Sequence, residues 1–120
     1  MIKNTDEIEE EIERLKNSEN IIIVEGIKDK KALNYLGLKN IVTLSKKPMF
    51  QIIEELSKKN KTITILTDFD KKGKQLYGRL NSGLQRHGVK VDNRFREFLQ
   101  KNTKLSHIEG LVSYLNKIEL

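Results

Sequence analysis

The sequence predicts a single α/β domain, residues 1–120, built on a mainly parallel four-stranded sheet with helices on both faces. Three observations lead there. Strand-like runs alternate with segments of helical period three or four times along the chain. The run Ile21 to Val24 is apolar throughout, as in a strand covered on both faces. The connections are short, and short right-handed crossovers make neighbouring strands parallel.

Each element has its own signal. Asn4, with Glu7 three residues later, suits a capping box, and Ile8, Ile12 and Leu15 form one stripe, so residues 1–18 read as an acidic helix. After the first strand, "DKKALNYLG" reads as a helix with Ala32, Leu33 and Leu36 inward and Gly37 as its left-handed stop. "NIVTL" is the second strand, and Pro48 opens a helix that turns Met49, Ile52, Ile53 and Leu56 inward. "TITILT", Thr62 to Thr67, is the third strand. A long helix follows from about Lys71 to His87, carrying Leu76, Leu80 and Leu84 and closed by Gly88, with Gly78 and Gly83 weakening it. "VKV" is a candidate fourth strand, and two helical segments fill residues 92–120.

The chain has 23 Lys and Arg against 17 Asp and Glu, a net charge of +6 that favours polyanionic partners. Residues 1–17 contribute −3 and the remainder +9, so the body is more basic than the whole. With no cysteine, thiolate zinc sites and a cysteine nucleophile are excluded. The acidic start resembles no secretion signal, and no run nears the roughly 20 apolar residues that span a bilayer. A cytoplasmic protein that does not enter the membrane is the expectation.

Against this basic background, acids gather where two strands end. Glu25 follows the first strand directly, and Asp68 and Asp70 follow the third. In a doubly wound sheet of order 2-1-3-4 those strands are neighbours, and ligands bind outside their carboxyl ends. Residues i and i+2 of an extended segment project to one side roughly 6 to 7 Å apart, so Asp68 and Asp70 can face one site while Phe69 packs. Close carboxylates repel unless a cation sits between them. Magnesium, with manganese as a substitute, suits an oxygen-rich site that leaves room for phosphate oxygens. Lys28, Lys71, Lys72 and Lys74 crowd the same loops and, with Arg79, could hold a nucleic-acid backbone. Arg86, Arg94 and Arg96 could extend that track, although a solvated helix face explains each as well.

Other chemistries compete for these residues. Asp70 serves equally well as the cap of the next helix. An EF-hand starting at Asp68 would place Lys72 and Arg79 where oxygen ligands are required, which excludes it. An aspartyl-phosphate phosphatase needs small residues where Lys71 and Lys72 stand. A receiver-like phosphoacceptor domain would need an acid pair after the first strand, where the chain offers Glu25 and, a turn later, Asp29.

Together, "IIIVEGIKD" and "ILTDFDKKG" resemble the two signature motifs of the Toprim family, found in topoisomerases, bacterial primases and the maturase of 5S ribosomal RNA. The match covers Val24, Glu25, Gly26 and Asp29 in the first motif and Asp68, Asp70 and Gly73 in the second, within a core of about residues 21–91. In length and organisation the chain is similar to small stand-alone Toprim proteins, which look like the catalytic half of that maturase. The resemblance implies a Rossmann-like sheet, with Glu25 as general acid or base and Asp68 and Asp70, joined by Glu25, around magnesium. Gly26, Asp29, Gly73 and Glu109 would support the site, Glu109 through its place in "HIEGLVSYL".

The implied function is metal-dependent phosphodiester chemistry on RNA or DNA, as a nuclease or RNA-processing enzyme. The alternative is a binding or assembly module, with or without a protein partner, that cuts no bond. Lys74 stands where many family members carry an acid, which favours that alternative and questions a second metal. His107 reads as a surface or capped histidine, and Tyr35, Tyr77 and Tyr114 read as packing residues.

Overall fold

The computed structural model describes the backbone of residues 4–119 and the side chains of residues 6–116, so the expected Asn4 cap lies outside the described side chains. Helix α1 (Asn4–Asn17) leads into strand β1 (Ile21–Val24), then α2 (Ile27–Tyr35), β2 (Ile41–Thr43), α3 (Met49–Ser57), β3 (Ile63–Ile65) and α4 (Lys71–Arg86). Helix α5 (Arg94–Asn102), a 3-10 turn (Ile108–Gly110) and α6 (Leu111–Glu119) complete the chain. The sheet is parallel, in the order β2-β1-β3, with Ile22 opposite Ile41 and Ile21 opposite Ile63.

The expected four-stranded sheet is corrected to three. "VKV" makes a single parallel bridge, Val91 to Ile63, in which Ile63 N donates to Lys90 O and Asp92 N to Ile63 O. The reason is length: Gly88 turns the chain at φ +75° and α5 begins at Arg94, which leaves too few residues for a ladder.

Alternation along β1 divides the core in two. Ile22 and Val24 point to one face, with Ile8, Ile12 and Leu15 of α1, Leu33 of α2, Phe95 and Leu99 of α5, and Leu111 and Leu115 of α6. Ile23 points to the other, with Ile63 and Ile65 of β3, Ile52, Ile53 and Leu56 of α3, and Leu80 and Leu84 of α4. Each fully buried Ile or Leu contributes about 1.5–3 kcal/mol. Both faces are therefore covered, which is why the strands read as apolar runs.

Glycine stops are where the sequence puts them: Gly37 (φ +93°) ends α2 and Gly88 ends α4. Gly83 does more than weaken its helix, because a Cβ there would lie 2.6 Å from Ile53 Cδ1 and oblige that side chain to shift. Tyr35 corrects a packing expectation, being 75% exposed, whereas Tyr77 and Tyr114 are partly buried against the two cores. Among the described residues, no helix is long and apolar enough to cross a membrane.

Candidate functional site

The carboxyl ends of β1 and β3 lie side by side because the two strands pair directly. Glu25, one residue beyond β1, uses Oε2 to accept the Asp68 N–H at 2.9 Å. Asp68 is buried, and its Oδ1 accepts the N–H of Ile108 at 2.8 Å. Asp70 is the exposed N-cap of α4, where Oδ1 accepts from Gly73 N at 2.8 Å. Capping and site membership are thus compatible, since Asp70 Oδ2 remains and lies 3.4 Å from His107 Nε2. Phe69 turns inward as expected and is 9% exposed.

One donor atom from each of Asp68, Asp70 and His107 lies within 4.8 Å of the others. Glu25 is outside that group and adjoins it through the Asp68 amide. Of the ion pairs among the described residues, the one that reaches these acids is His107 with Asp70, so no lysine or arginine salt link neutralises them.

Asp29 extends the acidic neighbourhood. Its side chain is 6% exposed in the first turn of α2, and Oδ2 accepts the Gly26 N–H at 3.1 Å. Burial pushes its carboxyl above the ordinary 3.8; the Gly26 hydrogen bond opposes this, and the charges of Asp68, Glu109 and Glu25 reinforce it. Glu109, exposed on the 3-10 turn, lies within electrostatic reach of Asp29.

Two glycines play different parts. At Gly73 a Cβ would sit 2.0 Å from Asp68 O, so only glycine lets α4 start against the Asp68 turn. That helix start is held further by Thr67, whose buried hydroxyl donates to Gly73 O at 2.7 Å. Gly26 is extended (φ −148°), and a Cβ there would meet no atom within 4 Å, so the backbone faces open space beside Glu25.

Arg96 overturns the expected backbone-binding role of the C-terminal arginines. It is 4% exposed and lies beneath the site, where Nη1 donates to Thr67 O and Nη2 donates to Asp68 O at 3.1 Å. Its guanidinium carbon sits 4.7 Å from the ring centres of both Phe69 and Tyr77. Burial lowers its pKa, while Tyr77, Asp68 and Glu25 act in the opposite direction, which makes Arg96 a fixed countercharge behind the acids. Its inward position had a signal, since Arg96 stands three residues before Leu99 and so shares the helical face that Leu99 buries. Arg94 is likewise engaged, pairing with Glu11 at 3.0 Å.

The other bases stand as exposed side chains. Lys28 is in the first turn of α2, and Lys71, Lys72 and Lys74 open α4, so these lysines flank the acids. Arg79 lies about 12 Å further along α4 at 1.5 Å per residue. There it lines a cavity of about 390 Å³ with Arg86 and Phe50, apart from the acids.

An α/β domain with an acidic site at the carboxyl ends of two paired parallel strands defines the class of protein. Comparison identifies the family. The UPF0292 protein of Methanocaldococcus jannaschii is 36% identical over 115 residues, covering 92% of this chain and 89% of that protein. The relative from Pyrococcus horikoshii is 34% identical over 122 residues, covering 99% of this chain and 92% of its own. The chain belongs to the UPF0292 family. A solved structure of a protein from Aquifex aeolicus superposes with a TM-score of 0.78 at 33% identity, covering 90% of this chain and 98% of that one. No protein-family model matches the chain.

Proposed function

We propose that this chain is a Toprim-type protein with a Rossmann-like fold that carries out magnesium-dependent phosphodiester chemistry on nucleic acid in the cytoplasm, as a nuclease or RNA-processing enzyme. The observation that carries this reading is the meeting of Glu25 with Asp68, two residues 43 positions apart whose motifs were matched separately in the sequence.

The donor chemistry fits a divalent cation. Asp68 and Asp70 present hard oxygen donors at a site where, among the described residues, no lysine or arginine forms a direct salt link to their carboxylates, and Asp70 is exposed enough to leave positions for water or phosphate. When bound, the ion supplies charge stabilisation to the phosphoryl oxygens. Glu25 keeps one oxygen on the Asp68 amide, and Oε1, with no hydrogen-bond partner among the described residues, is the atom that gives or takes the proton. Lys28, Lys71, Lys72 and Lys74 hold backbone phosphates on either side, and the open backbone at Gly26 lets a phosphate approach.

A second reading, a module that binds nucleic acid without cutting it, is favoured by Lys74. Its exposed ammonium stands one residue past Gly73, where another acid would complete a second metal position. To separate the two, the full chain is incubated with structured RNA and with single-stranded DNA, with and without magnesium, beside Glu25→Gln. Magnesium-dependent cleavage lost in the variant supports the enzyme. Salt-sensitive binding without cleavage supports the module, and neither binding nor cleavage rejects both. Acid-labile phosphate on Asp68 after exposure to a small phosphodonor would point instead to a receiver-like domain.

A further inference from the structure

We infer that His107 is the third protein ligand of the metal site, and that its imidazole makes the site prefer a first-row transition cation over magnesium. The inference rests on the metal reading above and deepens it.

The chain positions His107 with two anchors, one on each side. Phe69 N donates to Ser106 O at 2.8 Å, and Ile108 N donates to Asp68 Oδ1 at 2.8 Å. Ile108 is itself 0% exposed, so the start of the 3-10 turn is fixed against the core. His107 between them is extended (φ −131°, ψ 139°) and holds its ring over the Asp68 to Asp70 turn. The anchors belong to the site motif itself, because one uses the Asp68 carboxylate and the other the amide of Phe69.

The spacings suit one coordination shell. Bonds of about 2.1 Å to an octahedral ion put adjacent ligands about 3 Å apart and opposite ligands about 4.2 Å apart. His107 Nε2 and Asp70 Oδ2 are 3.4 Å apart, and the three donors lie within 4.8 Å of one another. The required contraction is small, and neither side chain that would make it is buried, His107 being 54% and Asp70 43% exposed. Two carboxylates with one imidazole form a mixed oxygen and nitrogen set. Magnesium favours oxygen alone, whereas a nitrogen donor strengthens binding of first-row transition ions.

The test uses Mn2+ alone as probe on the full chain. Titration calorimetry gives affinities for Mn2+ and Mg2+, and pulsed electron paramagnetic resonance reports whether an imidazole nitrogen is bound to Mn2+. The expected result is nitrogen modulation in the native chain and its loss in His107→Ala. The variant's Mn2+ affinity falls by at least about 10-fold, the lower bound set by losses of residues that merely orient a ligand, and its Mg2+ affinity falls less. His107→Gln, which returns an oxygen donor, recovers Mg2+ affinity without nitrogen modulation. If Mn2+ binds, and binding is lost in Asp68→Asn, but no nitrogen is seen, the role of His107 is overturned and the carboxylate site stands. Nitrogen modulation that survives in His107→Ala overturns it equally. If Mn2+ does not bind at all, both the inference and the metal reading fall.

Discussion

Glu25 Oε2 accepts the backbone N–H of Asp68 at 2.9 Å, joining the tips of β1 and β3. This bond separates the structural use of Glu25 from its chemical one. Glu25→Gln retains a carbonyl oxygen as acceptor and should leave stability within about 0.5 kcal/mol. Glu25→Ala leaves a partly buried amide unpaired and should cost about 1–2 kcal/mol. Under the proposed chemistry both variants lose about 10²- to 10⁴-fold in cleavage rate. Urea denaturation beside single-turnover cleavage checks the pair; equal stability loss in both variants would contradict the assignment.

Gly73 and Gly78 lie in one helix and should respond oppositely to alanine. At Gly73 the new Cβ meets Asp68 O at 2.0 Å, a backbone atom that cannot swing aside. The substitution should cost about 3 kcal/mol or more and displace Asp68. At Gly78 nothing lies within 4 Å, so alanine should stabilise by up to about 1 kcal/mol through helix propensity. Thermal melts of the two variants decide it.

Arg96 tests whether the site is held from below. Arg96→Met keeps the apolar stem between Phe69 and Tyr77 but strands the carbonyls of Thr67 and Asp68. A loss of about 2–4 kcal/mol is expected. Arg96→Lys, which cannot reach both carbonyls with a planar fork, should fall between Met and the native chain. A methionine variant as stable as the native protein would show that the clamp contributes nothing.

Asp92 sets a pH dependence. Burial raises its carboxyl, but this is outweighed by hydrogen bonds from Arg94 N, Arg14 and Asn20 and by the charge of Arg14, leaving it below the ordinary 3.8. A carboxyl with a depressed native pKa binds fewer protons folded than unfolded, so its stabilisation is complete above 3.8 and is lost as pH falls through the native value. Asp92→Asn should therefore lose about 1–2 kcal/mol at pH 7, with the gap to the native chain closing in acid. A gap that stays constant down to pH 2 would reject the role.

Much of the fold was legible because it is local. The apolar run of β1, the stripe of Ile8, Ile12 and Leu15, and the left-handed stops at Gly37 and Gly88 are each written in a few consecutive residues. Gly73 and the two acids of the second motif were legible for the same reason, since a strand end, a cap and a helix start follow one another directly. "VKV" was overread because three suitable residues predict extended backbone but not the room to form a ladder beside β3.

What the sequence by itself determined is the alternation of strands and helices and the gathering of Glu25, Asp68 and Asp70 at strand ends, through periodicity and turn chemistry alone. Only the tertiary structure decided which side chains meet there. Pairing of β1 with β3 puts Glu25 on the Asp68 amide, docking of α5 drives Arg96 beneath that turn, and the Ser106 to Ile108 anchors bring His107 to Asp70. The physical reason is separation along the chain: these contacts join residues 28 to 43 positions apart, and no local pattern encodes the docking that makes them.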